Sequence, residues 1–290
     1  MTGTHGVRIL DSHCHAWRRW PYLPRVPDEA SRGTADQLLY ELDANGVEQA
    51  LVVCAAIDNN PDNIEYVASA RDRHPTRLRL VADLDCTWSP TYHAPGSAGR
   101  LRTLDDRYRL TGFAHYLAEE NDGWLRTDEA DQLFAAAAER HLIVSLGATT
   151  NWQADLRALA QRHPNVPILC QTLGGVRAEE GPESPGLAEV LASAGVPSIY
   201  IKVAGFHYAS ARGWDYPWAD AIAVLARLFE AFGAERLCFG SDFPASTRFC
   251  TFHQTLAAVR EHCPFFAPDD LAMVLGGTLG GLLEEHDAGR

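Results

Sequence analysis

Short apolar runs alternate with longer amphipathic stretches along the whole chain. The runs cover residues 8–15, 49–55, 78–85, 110–117, 142–148, 167–174, 198–205 and 236–243, most of them rich in Val, Ile, Leu or Phe. Runs of this length and composition suit parallel strands buried on both faces. The stretches between them carry helix signals. Residues 34–45 begin at Thr34 and stop at Gly46, 62–73 end before Pro75, and 127–140 gather Leu133, Phe134, Ala137 and Ala138 on one face. Residues 153–163, 186–194, 217–232 and 251–262 end at or before Pro164, Gly195, Gly233 and Pro264. These are ordinary start and stop signals. Residues 87–107 break the rhythm with Pro, Gly and Ser, and only 98–105 carry a helical pattern there. Eight strands with eight helical connections predict one α/β domain over residues 1–290, a distorted (β/α)8 TIM barrel. An open doubly wound sheet is the alternative. It would usually need a Gly-rich phosphate loop after its first strand, and Asp11-Ser-His-Cys-His15 supplies none.

Composition narrows the partners. Hydrophobic residues make up 46% of the chain and charged residues 22%, which argues against disorder. The net charge of −13 disfavours nucleic acid and anionic membrane, leaving a small-molecule substrate. No apolar run reaches the roughly 18 residues of a spanning helix, and residues 1–9 lack the apolar stretch of a secretory signal. Seven cysteines, without CxxC spacing, read as reduced thiols and suggest a cytoplasmic location. A homo-oligomer is left open.

Functional groups in a parallel barrel lie at the C-terminal ends of the strands. His13 and His15, two apart at the end of the first run, project from one face of a regular strand. Asp242 ends the eighth run in Gly240-Ser-Asp-Phe-Pro244. The first and eighth strands are neighbours in a closed barrel, so these three side chains are expected to converge. They could hold a metal that activates water. Alternatively, Asp242 could take a proton from water while the imidazoles polarise a carbonyl. Asp11, taken as lying on the face of His13, is a candidate acceptor that orients an imidazole. Lys202, inside the seventh run, should find a carboxylate or carbonyl partner.

The motifs Asp11-Ser-His-Cys-His15-Ala-Trp17, Trp20-Pro-Tyr-Leu-Pro24, Asp43-Ala-Asn-Gly-Val47, Asp62-Asn-Ile-Glu-Tyr66, Gly112-Phe113, Leu173-Gly-Gly175, Ile201-Lys202 and Gly240-Ser-Asp-Phe-Pro244 carry a resemblance. In order and spacing the chain resembles the amidohydrolase superfamily, amidohydrolase-2 type, in its sugar-lactone and pyrone-dicarboxylate lactonase branch. The resemblance implies a TIM-barrel hydrolase with catalytic His13, His15 and Asp242. Metal-binding relatives usually add a histidine after strand five or six. Here 143–147 reads Ile-Val-Ser-Leu-Gly, while Gln171 and Thr172 stand where that family commonly has Asp-His. Gly276-Gly-Thr278 likewise departs from its C-terminal Asn. The resemblance therefore implies no cofactor or a single Zn²⁺ or Mn²⁺ on His13, His15 and Asp242, with the metal-free state favoured. His207 and His115, just past strands seven and four, are candidate replacements.

Trp17, Tyr116, Gln171, Thr172, His207 and Trp214 are the candidate substrate-binding residues on an aromatic rim. Such a rim suits an apolar, cyclic or aromatic substrate. The leading reading is Asp-activated water opening a lactone or related cyclic ester or amide. The alternatives are a decarboxylase or C–C lyase, and a barrel that has lost hydrolysis to become a binding protein or a cyclisation catalyst.

Overall fold

The computed structural model describes residues 7–290; residues 1–6, part of the stretch read as lacking a secretory signal, lie outside the described residues. Eight parallel strands pair in sequence order: β1 Leu10–Cys14, β2 Gln49–Cys54, β3 Leu78–Asp83, β4 Gly112–Tyr116, β5 Ile143–Gly147, β6 Ile168–Cys170, β7 Ile199–Val203 and β8 Leu237–Phe239. The backbone just past β8 closes the ring. Asp242 N–H donates to His13 O at 2.8 Å and His15 N–H donates to Phe243 O at 2.6 Å. This is the expected (β/α)8 barrel.

The helices are α1 Ala35–Ala44, α2 Asn63–Arg73, α3 Ser97–Tyr108, α4 Asp128–Glu139, α5 Gln153–Arg162, α6 Pro185–Ala192, α7 Phe206–Ala209, α8 Ala219–Phe232, α9 Phe252–His262, α10 Pro268–Ala272 and α11 Thr278–Ala288. Thr34 and Thr127 cap α1 and α4 as their sequences suggest, accepting from Gln37 N–H and Ala130 N–H. Thr251 and Gln254 form a reciprocal capping box on α9. The weak third unit is a full helix of 12 residues, α3, longer than its short pattern predicts. Leu101, Ala98 and Tyr108 bury its inner face, and this tertiary burial outweighs the low intrinsic preference of the segment. No helix among the described residues is long and apolar enough to cross a membrane.

Side-chain alternation divides the core into two shells. Val52, Leu80, Phe113, Val144 and Ile201 point outward against the helices. Leu10, Leu51, Val53, Val81, Ile143 and Leu169 fill the lumen, where α11 adds Leu279, Leu282 and Leu283 from below. The sequence pattern does not single out this C-terminal helix. It closes the end of the barrel opposite the His-x-His segment, so the lower lumen is packed and the chemistry is confined to the upper rim. Gly276 and Thr278 belong to that lower end. Thr278 Oγ1 donates to Ala234 O at 2.9 Å.

One irregularity in β1 sets the site. Asp11 pairs with Ala50, but Cys14 pairs with Val52, so β1 spends three steps where β2 spends two. Such a bulge inserts one residue and re-aims the side chains beyond it. Ala50 and Val52 share the outer face, so Asp11 and Cys14 leave the lumen to His13 and His15. The reading that Asp11 and His13 share a face is corrected by this bulge.

Candidate active site

His13, His15 and Asp242 converge at the upper rim, all buried, with their nearest ligand atoms within 4.8 Å of one another. His13 Nε2 lies 3.5 Å and His15 Nε2 3.9 Å from Asp242 Oδ1. The other carboxylate oxygen, Oδ2, is 3.3 Å from His207 Nε2. Both of these last two atoms are buried without a hydrogen-bond partner. Unsatisfied buried acceptors are uncommon, and at a cleft they mark a place where a ligand or water docks. Asp242 holds a left-handed backbone, φ 54°, unusual for a non-glycine residue. Gly240, two residues earlier, has no room for a side chain. A Cβ there would stand 2.9 Å from the Cβ of His13.

Each imidazole is oriented from behind. His15 Nδ1 donates to Val53 O at 2.9 Å, so its Nε2 presents a lone pair to the cavity. The ring also stacks on buried Trp17, with centroids 4.8 Å apart. His13 Nδ1 faces Lys202 Nζ at 3.2 Å. Lys202 Nζ donates to Ser145 Oγ at 2.7 Å, and Gln171 Nε2 donates to the same hydroxyl at 2.9 Å. The expected carboxylate or carbonyl partner of Lys202 is thus replaced by a hydroxyl and an imidazole, because β5 offers Ser145 and β1 offers His13 at that level of the lumen. Burial pulls the Lys202 amine down to about 7, against smaller opposing effects of Cys238 and Asp11. Burial, then Lys202 and His15, hold His13 well below the usual imidazole range. Burial lowers His15 as well, with Asp242 and the Val53 carbonyl opposing. Both imidazoles are therefore neutral at pH 7.

The cavity above these groups measures about 170 Å³ and includes Trp17, Tyr116, Gln171 and Thr172 among its walls. Tyr22, Trp88 and Tyr208 complete the aromatic lining. Burial pushes the Tyr22 and Tyr116 phenols well up, and the Asp242 charge adds to this. They remain O–H donors. Tyr22 was missed in the sequence although it sits within the motif Trp20-Pro-Tyr-Leu-Pro24; nothing in the pattern distinguishes it from its packed neighbour Trp20. Arg248 Nη2 donates to Tyr208 Oη at 2.5 Å and lies 4.4 Å from the centre of the Tyr22 ring. Trp214 is not brought to the site; it is 75% exposed.

His115 is likewise elsewhere. Its Nδ1 donates to Leu84 O at 2.9 Å, and its ring packs against Trp124 and His93. Burial pulls its pKa from 6.5 to about 4, with His93 adding to the fall and the Leu84 carbonyl, Asp85 and Asp122 opposing. Between those values the unfolded chain binds the proton and the folded chain does not. Stability from this group is therefore complete above pH 6.5 and is lost as pH falls toward 4, by roughly 3 kcal/mol in all. Urea unfolding at pH 7.5 and 4.5 should show a loss about 2–3 kcal/mol smaller in His115→Phe than in the parent. Equal losses would assign the acid sensitivity to other groups.

A closed parallel barrel with His-x-His at its first strand and an aspartate after its last defines a TIM-barrel hydrolase. The amidohydrolase family model matches residues 10–278, and the chain belongs to that family. An L-fucono-1,5-lactonase from Burkholderia ambifaria is 24% identical over 283 residues, covering 93% of each chain. Among solved structures, an amidohydrolase from Burkholderia multivorans with bound zinc is 19% identical, with TM-score 0.74 over 96% of this chain and 99% of that one. A candidate 2-pyrone-4,6-dicarboxylic acid hydrolase from Acinetobacter baumannii with bound citric acid is 18% identical, with TM-score 0.77 over 96% and 99%.

The donor set fits one divalent ion. His13, His15 and Asp242 offer two imidazoles and a carboxylate at one point, with the Val53 carbonyl fixing His15 as metal-bound imidazoles usually require. Among the described residues a second ion finds no comparable cage. Thr172 offers only a hydroxyl, and Ser145 is engaged by Lys202 and Gln171.

Proposed function

We propose that the chain opens a lactone or a closely related cyclic ester, with Asp242 as general base and His13 and His15 beside it. The observation that carries this reading is the buried Asp242 carboxylate, its Oδ1 within 3.9 Å of both His13 and His15 Nε2, in the lining of a small cavity walled by aromatic rings and neutral histidines. A water on Asp242 loses its proton to the carboxylate as its oxygen attacks the carbonyl carbon. When Lys202 is protonated and donates to its Nδ1, His13 presents an Nε2–H toward the developing oxyanion, where a fixed donor does most to lower the barrier. His15, its Nδ1–H held by Val53 O, offers a lone pair that orients the water. His207, 3.3 Å from Asp242 Oδ2, sets the carboxylate plane. Collapse of the tetrahedral species expels the ring alkoxide, which takes its proton from the Asp242 carboxyl. The 24% identical lactonase supports the lactone as substrate class. When bound on His13, His15 and Asp242, a divalent ion would supply Lewis acidity at the same point.

Acid release from a panel of sugar lactones, simple lactones and linear esters, followed by pH-stat, tests the reading. Preferential opening of lactones is expected. Release of CO₂ from aromatic carboxylates, with no lactone opened, would replace it by the decarboxylase reading. Metal analysis of the purified protein is expected to find at most one divalent ion per chain. Two ions per chain would overturn this assignment of the donors.

A further inference from the structure

The reaction pocket is small. Sites for small molecules commonly enclose roughly 300–1,000 Å³, against about 170 Å³ around Asp242. A second cavity of about 820 Å³ lies beside it, between the loop that leads into α2 and the outer face of α3. Trp88 is common to both linings. Its indole N–H donates to Asp83 Oδ2 at 2.7 Å, its ring lies 4.8 Å from that of Tyr116, and 39% of it is exposed. Trp88 is therefore the partition between the two spaces, held by one hydrogen bond and one aromatic contact.

The chemistry of the larger cavity selects its occupant. Pro61, Leu84, Pro90 and Leu104 supply apolar wall. The cation there, Arg100, is fully engaged. It donates to both oxygens of Asp85 and to the carbonyls of Pro95 and Ala94. Thr91 is bonded to Asp85 and Thr103 to Gly99 O. Asp83 receives Trp88 and the Ala56 N–H. With its cation neutralised and an acidic group on the wall, the cavity repels a carboxylate or phosphate and accepts neutral apolar matter. On α3, Gly99 leaves the wall bare, and a Cβ there would meet nothing within 4 Å.

We propose that this cavity is the second half of the substrate site and takes a neutral alkyl or aryl substituent carried by the ring that is opened beside Asp242. The inference rests on the lactone reading for its reactive end, while the cavity itself stands on its own geometry. It makes the substrate class a lactone with an apolar side chain of several carbons, passing under or displacing Trp88.

Two measurements test it. In the first, kcat/KM is compared for γ-decalactone and γ-butyrolactone. In the second, the fluorescent dye N-phenyl-1-naphthylamine is titrated into the protein without substrate. The wild type should favour the hexyl-bearing lactone by about tenfold or more and bind the dye, since each buried methylene adds to affinity. Gly99→Phe, which fills the open space on α3, should lower the ratio of the two kcat/KM values about tenfold and weaken dye binding similarly. Thr103→Phe fills the same cavity from one turn further on and serves if Gly99→Phe does not fold. Lactone opening without chain-length preference and without dye binding would overturn the subsite and leave the lactone reading standing. Dye binding abolished by either Phe, in a protein that opens no lactone, would uphold the apolar site and overturn the lactone reading. An unchanged ratio and unchanged dye affinity in both variants would overturn the subsite.

Discussion

Asp242→Asn is expected to leave the barrel folded and to lower hydrolysis by about 10² to 10⁴-fold, the usual contribution of a general base. The carboxamide has the shape of the carboxylate but cannot accept the proton that leaves the attacking water. The structural duties of residue 242 lie in its backbone, which survives the change. Its N–H donates to His13 O and its carbonyl accepts from Ser246 N–H. Asn tolerates the left-handed conformation at φ 54° at least as well as Asp does. Unchanged far-UV circular dichroism and melting, with lactone opening measured by pH-stat, would separate a chemical loss from a folding loss. Near-normal turnover in the variant would show that another group takes the proton.

The barrel was legible in the sequence because its signal is repeated. Each of eight apolar runs overlaps a strand, and the helix starts read at Thr34, Thr127 and Thr251 lie within a residue of the observed ones. The site was legible only at its ends. Strand order alone brings His13, His15 and Asp242 together, so their convergence follows from topology. What fills the space behind them does not. The hydroxyl that holds Lys202 comes from β5, four barrel positions from β1, and Ser145 carries no local mark of that role. His207 could be placed past β7, but its 3.3 Å approach to Asp242 depends on the short turn of α7, which begins after Gly205 in a left-handed conformation. Trp214 has the composition of a rim aromatic and none of the burial. Periodicity reports which face a residue occupies and is silent on which loop folds inward.

The bulge in β1 shows the same limit at one residue and carries the second large expectation. Strict alternation puts Asp11 beneath His13, where its carboxylate would orient an imidazole. The extra residue turns it away, and it binds the backbone instead. Asp11 Oδ1 accepts from the N–H groups of His13 and Ser241, each at 3.0 Å, and Oδ2 accepts from Ser241 Oγ at 2.5 Å. One fully buried carboxylate thus ties the end of β1 to the turn after β8, the two segments that deliver the histidines and Asp242. Burial raises its pKa to about 6 while the bonds from Ser241 and His13 draw it down. Asp11→Ala would leave two buried N–H groups unpaired, each costing about 1–3 kcal/mol. A loss of roughly 3–5 kcal/mol of stability is expected, together with reduced lactone opening as His13 and Asp242 lose their common anchor. Asp11→Asn keeps one carbonyl acceptor and should lose less of both. Urea unfolding of the three proteins, read beside kcat, checks the order wild type, Asn, Ala. An Ala variant as stable and as active as the parent would show that the pairing of Asp242 N–H with His13 O and of His15 N–H with Phe243 O closes the barrel without this carboxylate.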